Sequence, residues 1–180
     1  MRTPEVMGRI RDVASLLSPE FVERDGLVVR AAEAGCAEIN RGAPIDATGL
    51  EALCTHLHVF DHFVHDAQVM DELPDDAGPD DSIYDSAHPD FVAAISIGLA
   101  AAWGWSISLR RTFPDYRFRV YYTELDNPIV RCHRVRPGER PWMSDDEVRD
   151  IQLPDRVMVV DTATMTAVWS KGFETEGESR

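Results

Sequence analysis

Apolar residues recur at helical spacing at the start of the chain, at Val6, Ile10, Val13 and Leu17. This predicts a helix from about Pro4 to Leu17, with Thr3 as N-cap and Pro4 at the first helical position. Ser18-Pro19-Glu20 then reads as a second cap and helix start. The run Leu27-Val28-Val29 fits either a short strand or the middle of a helix ending near Gly42, because so short a run holds too few periods to separate them. Leu50, Leu53, Leu57, Phe60 and Val64 form the apolar stripe of a third helix, roughly Gly49 to Met70, capped by Asp46 or Thr48. A fourth helix begins near Pro89 and reaches about Thr112. No residue from Phe91 to Leu109 is charged, a run of 19. That length could cross a bilayer. Gly98, Gly104, three serines and many alanines keep its hydropathy low, however, so a helix packed on most sides is expected and no membrane span.

Beyond this helix the period changes to two. Tyr116 to Thr123 alternates, Leu125-Asp126-Asn127-Pro128 marks a turn, and Ile129 to Arg136 returns as a second strand ended by Pro137-Gly138. Ser144-Asp145-Asp146-Glu147 starts a short helix. Arg156 to Asp161 and Thr166 to Ser170 form a second hairpin around Thr162-Ala163-Thr164. The expected fold is α+β: a helical N-terminal half packed on a mostly antiparallel sheet of about four strands from the C-terminal half. Two prolines, a glycine and dense like charge make an exposed acidic loop of about 71–87. A frayed tail is expected from about residue 174. With 180 residues, no repeat and no Gly/Ser linker, one domain spanning 1–180 is the simplest organisation.

Charge sharpens this picture. The net value is −14, but residues 42–109 carry 12 acids and no Lys or Arg, whereas residues 110–140 carry 8 Arg and 4 acids. Such a chain is unsuited to general nucleic-acid binding, since phosphates would be repelled, and suited to a basic protein partner. Asp75, Asp76, Asp80 and Asp81 are the candidate partner-binding residues. Cys36, Cys54 and Cys132 are odd in number and widely spaced, without a CxxC, which fits free thiols in a reducing compartment. The start Met1-Arg2-Thr3-Pro4-Glu5 lacks an apolar signal core, so a cytoplasmic location is expected.

Two clusters could carry chemistry. Four of the six histidines lie between His56 and His65. On a helix turning about 100° per residue, His58, His62 and His65 share one face, opposite the apolar stripe. Such a face could hold a divalent metal such as zinc, with Asp61 or Asp66 in support, although a catalytic centre normally recruits a further ligand from a second element. The second cluster is arginine-rich. With Asp126-Asn127 at the turn centre, Arg119 lies opposite Arg134 and Arg117 opposite Arg136, all four on one face as a candidate anion-binding site. Like charges so placed repel unless an acid of the chain, a partner's carboxylate or a phosphate lies over them. There is no GxSxG, P-loop, GxGxxG or HExxH. Whether the protein is an enzyme therefore stays open. The leading expectation is a non-catalytic, inhibitor- or immunity-like binding protein acting through its acidic surface. The alternatives are a metal-dependent enzyme built on the histidine cluster and a small anionic-ligand binder built on the arginine face.

Overall fold

The computed structural model describes residues 13–39, 44–63, 89–124, 127–151 and 156–171. The acidic loop, the tail, and with them His65, Asp75, Asp76, Asp80 and Asp81 lie outside the described residues. The architecture is α+β with an antiparallel sheet. In chain order the elements are α1 (Val13–Leu17), β1 (Phe21–Arg24), β2 (Leu27–Arg30), a 3-10 turn (Ala31–Glu33), α2 (Ala34–Ile39) and α3 (Ala47–Cys54). Then follow β3 (Leu57–His58), a second 3-10 turn (Phe60–His62), α4 (Pro89–Thr112), β4 (Phe118–Glu124), β5 (Pro128–Arg134), α5 (Asp145–Asp150), β6 (Arg156–Asp161) and β7 (Thr166–Trp169).

The described residues between α1 and α4 are less helical than their periodicity suggests. Instead of a helix from Ser18, β1 and β2 form an antiparallel hairpin with Arg24 opposite Leu27. Asp25 and Gly26 occupy its turn with φ of 52° and 78°. Two successive positive-φ residues match the right-handed twist of a hairpin, and Asp-Gly is the pair that tolerates them best. This settles Leu27-Val28-Val29 as a strand. Asp46 does cap α3, accepting from Gly49 N–H at 2.8 Å, but α3 stops at Cys54 rather than Met70. The Thr55 hydroxyl accepts from Cys132 N–H at 2.9 Å and lies 2.8 Å from the carbonyls of both Glu51 and Cys132. Leu57 and His58 then pair with Val130 and Ile129. Strand pairing thus supplies the backbone partners that further helix would have supplied.

Among the described residues the main sheet has five strands in the order β3-β5-β4-β6-β7, every neighbouring pair antiparallel. One strand, β3, comes from the N-terminal half, which corrects the expected four-strand sheet. Alternation divides the sheet into two faces. Phe118, Val120, Tyr122, Val130, Cys132, Met158 and Val160 face α4 and pack with Ala94, Ala101, Ala102, Trp105 and Leu109. Glycine permits close approach here. A Cβ on Gly104 would fall 2.0 Å from the Leu17 carbonyl oxygen, and one on Gly98 would fall 2.6 Å from the Tyr122 ring. On the rear face, Tyr121, Val157 and Val159 pack with Val148 of α5 and with Trp142 and Met143 of the loop before it. Ser144 and Glu147 cap α5 reciprocally, as the Ser-x-x-Glu spacing requires.

Candidate functional site

The rear face carries most of the described polar chemistry. In the β4–β5 pairing Arg119 is opposite His133, Tyr121 opposite Arg131, and Phe118 opposite Arg134. The register differs by one residue from the expected one, because three residues rather than two separate the terminal pair Glu124 and Pro128. Buried Asn127 fixes that spacing. Its side-chain carbonyl accepts from Phe60 N–H at 3.2 Å, and its amide donates to Asp61 at 2.9 Å. A one-residue slip moves a side chain to the opposite face. Arg119 and Arg134 are therefore on opposite faces, and the single four-arginine surface does not form.

Each of the four arginines meets a carboxylate of its own chain. Arg117 grips Asp161 through Nε, at 2.9 Å to Oδ2, and through Nη2. Arg119 bonds Asp145. Arg134 lies on the front face with its guanidinium 3.5 Å from the centre of the Tyr116 ring and 3.9 Å from Glu23. Arg136, past the end of β5, holds Glu51 with both terminal nitrogens at 2.6 and 2.9 Å. Glu51 is fully buried and also accepts from Val28 N–H and Arg134 N–H, each at 2.6 Å. This one carboxylate therefore joins α3, β2 and β5. Arg117, Arg119 and Arg136 do line one cleft of about 170 Å³ with Thr48, His133 and Glu139, but they bring their counter-charges with them. Asp161 is held below the usual carboxylate range by Arg117 and the Ala163 N–H, against the opposing effect of its burial.

His133 and Tyr121 form the middle of this face. The Arg134 carbonyl can only accept, so His133 Nδ1, 3.0 Å away, carries the proton. Nε2 is then the acceptor, with Trp142 N–H at 3.3 Å and Tyr121 Oη at 2.9 Å, and the single Tyr121 hydroxyl proton is shared between Nε2 and the Met143 carbonyl at 3.2 Å. Burial lowers the His133 pKa, consistent with this neutral tautomer. Beyond Trp142 lies a second polar group. The Arg131 guanidinium stacks 4.1 Å from the Trp142 ring centre and lies 3.3 Å from His56 Nε2. An arginine only donates, so His56 is the acceptor and is neutral. Burial first, then the charges of Arg131, His58 and Arg30, push its pKa down to about 4. The His56 and His58 rings stack at 4.4 Å.

The expected histidine metal face needs a helix over 56–65, but the described part, 56–63, holds the strand Leu57–His58 and the 3-10 turn Phe60–His62, and His65 lies outside the described residues. His58 is on β3 beside His56, whereas His62 lines a separate cleft of about 330 Å³ with Ser15, Glu20, Arg30 and Glu33. Among the described residues no group of three or more His, Cys, Asp or Glu is placed to hold a metal. The sequence reading overlooked Arg131, His133, Tyr121 and Glu51. A usable signal existed in β5, where Val130 and Cys132 alternate with Arg131 and His133, an apolar row against a polar one. Comparison with protein-family models, with characterised proteins and with solved structures finds no match.

Proposed function

We propose that the chain is a non-catalytic binding protein that engages a basic partner through an acidic surface, as an inhibitor or immunity protein does, in the cytoplasm. One observation carries this reading. Most of the ion pairs described for the arginines of 110–140 do not reach into the acidic stretch that precedes them. These pairs are Arg117–Asp161, Arg119–Asp145, Arg134–Glu23, Arg136–Glu51 and Arg140–Glu147. Only Glu51 belongs to residues 42–109. The other carboxylates come from β1, from β6 and from the start of α5. Residues 42–109 carry twelve acids and no Lys or Arg within the stretch itself to neutralise them. A one-signed field of this kind accelerates association with an oppositely charged surface and rejects like-charged ones.

The arginine cleft fits a structural role better than an anion-binding one, because a ligand would have to displace carboxylates already seated there. Capture on the immobilised protein at low and high ionic strength tests the proposal. A basic protein should be retained at low salt and released at high salt, and replacing Asp75, Asp76, Asp80 and Asp81 by Lys should abolish retention. Retention unaffected by both salt and charge reversal would remove the acidic surface as the binding element.

A further inference from the structure

Arg131 breaks the rule its neighbours follow. Arg117, Arg119 and Arg136 each hold a carboxylate, but among the described residues no carboxylate pairs with Arg131. Its partners are the Trp142 ring at 4.1 Å and the neutral His56 Nε2 at 3.3 Å. Arg131 Nε is shut off from solvent without a hydrogen-bond acceptor. A charged donor left unmatched in a poorly solvated place is costly. The cost shows in the pKa of Arg131, which burial alone lowers to about 10. Arg119 Nε is shut off in the same way, but Arg119 and Arg117 on the same sheet face have Asp145 and Asp161 as counter-charges, so what Arg131 lacks among the described residues is the carboxylate.

The geometry points to a binding site here for a compact oxyanion, the phosphate or carboxylate head of a small molecule, taken by the Arg131 guanidinium with the His58 imidazole close by. Stacking on Trp142 fixes the plane of the guanidinium, and a fixed planar fork suits two oxygens of one anion. His56 already accepts from Arg131 and braces it from the other side, while His58, stacked on His56, offers a further ring nitrogen. Among the described residues β3 is an edge strand. The overall charge of −14 would repel anions, and recognition must therefore come from these local donors. This inference does not rest on the basic partner proposed above.

Thermal midpoints in chloride, inorganic phosphate and acetate, at neutral pH and matched ionic strength, test the site. The wild type should gain about 2–4 °C in phosphate or acetate well above its Kd, and whichever anion acts names the head group. Arg131→Met should lose the gain, and Arg131→Lys, which keeps the charge without the fork, should lose at least half of it. Phosphate also stabilises proteins generally by exclusion from their surfaces, but that effect does not saturate and does not depend on Arg131. The imidazole NMR signals of His56 and His58 supply a readout free of it. They should move saturably with the active anion in the wild type and stay fixed in Arg131→Met. Midpoints equal in all three salts, histidine signals that do not move, or an unchanged response in the Arg131 variants would each overturn the site.

Discussion

Two side chains show how much single residues decide here. Glu51 is fully buried, held by Arg136 and by two backbone N–H groups from different strands. Replacing it with Gln keeps the shape but leaves the Arg136 guanidinium without its counter-charge. Breaking a buried pair from one side costs about 3–5 kcal/mol, so Glu51→Gln should lower the urea midpoint markedly. A loss below about 1 kcal/mol would mean that water reaches Arg136 and replaces the carboxylate. His56 and His133 set the response to acid. Both are neutral in the fold, with pKa values lowered by burial. The unfolded chain therefore binds protons that the folded chain refuses. Their contribution is complete above the unfolded value of about 6.5 and is lost as pH falls toward about 4, the His56 value. Asp161 and Glu147, whose carboxylates sit below their usual range, act at lower pH. His56→Gln should flatten part of the stability slope between neutrality and pH 4, by about 1–2 kcal/mol after allowance for its partial exposure. Slopes that stay parallel would show that His56 is protonated without opposition.

At the scale of elements, α4 is the long helix on which the front of the sheet packs, and its glycines set how closely other elements approach. Alanine at a helical glycine normally helps by about 0.5–1 kcal/mol. At Gly104 that gain is overwhelmed, because the new Cβ would meet the Leu17 carbonyl at 2.0 Å and backbone cannot step aside as a side chain can. Gly104→Ala should cost about 1–3 kcal/mol. Gly35 in α2 has no atom within 4 Å of its built Cβ, so Gly35→Ala should stabilise instead. Chemical denaturation of both variants gives the comparison, and equal signs would contradict the packing. The outward side of α4 remains apolar, with Val92 and Ile107 exposed at 46 % and 57 %, while its inner side meets β4 and β5.

For the whole molecule, charge distribution matters more than net charge. Among the described residues, the arginine pairs of 110–140 close within the C-terminal half, onto β1 and, through Arg136–Glu51, onto α3. Reversing two of Asp75, Asp76, Asp80 and Asp81 to Lys should slow association with the basic partner by about tenfold or more at low salt, and should reduce the dependence of that rate on salt. Folding stability should change little if the loop acts only through its charge. Stopped-flow association across a salt series gives the answer. An unchanged rate would transfer the binding role to another surface.

Local chemistry was legible in the sequence wherever a short stretch settled its own structure. The uncharged run and Pro89 gave α4, Asp46 gave the start of α3, Ser144 and Glu147 gave the cap of α5, and alternation gave β4 to β7 as antiparallel strands. Each of these is set by contacts within a few residues. Asp25-Gly26 was equally local, and the hairpin it makes could have been read from it. Other features depend on partners far along the chain. The end of α3 is decided by Thr55 meeting Cys132, and β3 by its pairing with β5, so no periodicity in 49–70 could reveal them. The histidine face vanished for the same reason. The hairpin register turned on Asn127 reaching Phe60 and Asp61, and a slip of one residue was enough to send Arg134 to the front and bring Arg131 and His133 to the rear. Sequence determines which residues can form a strand or a cap; which face a side chain occupies, and whether its charge finds a partner, follows from register and packing that only the tertiary structure decides.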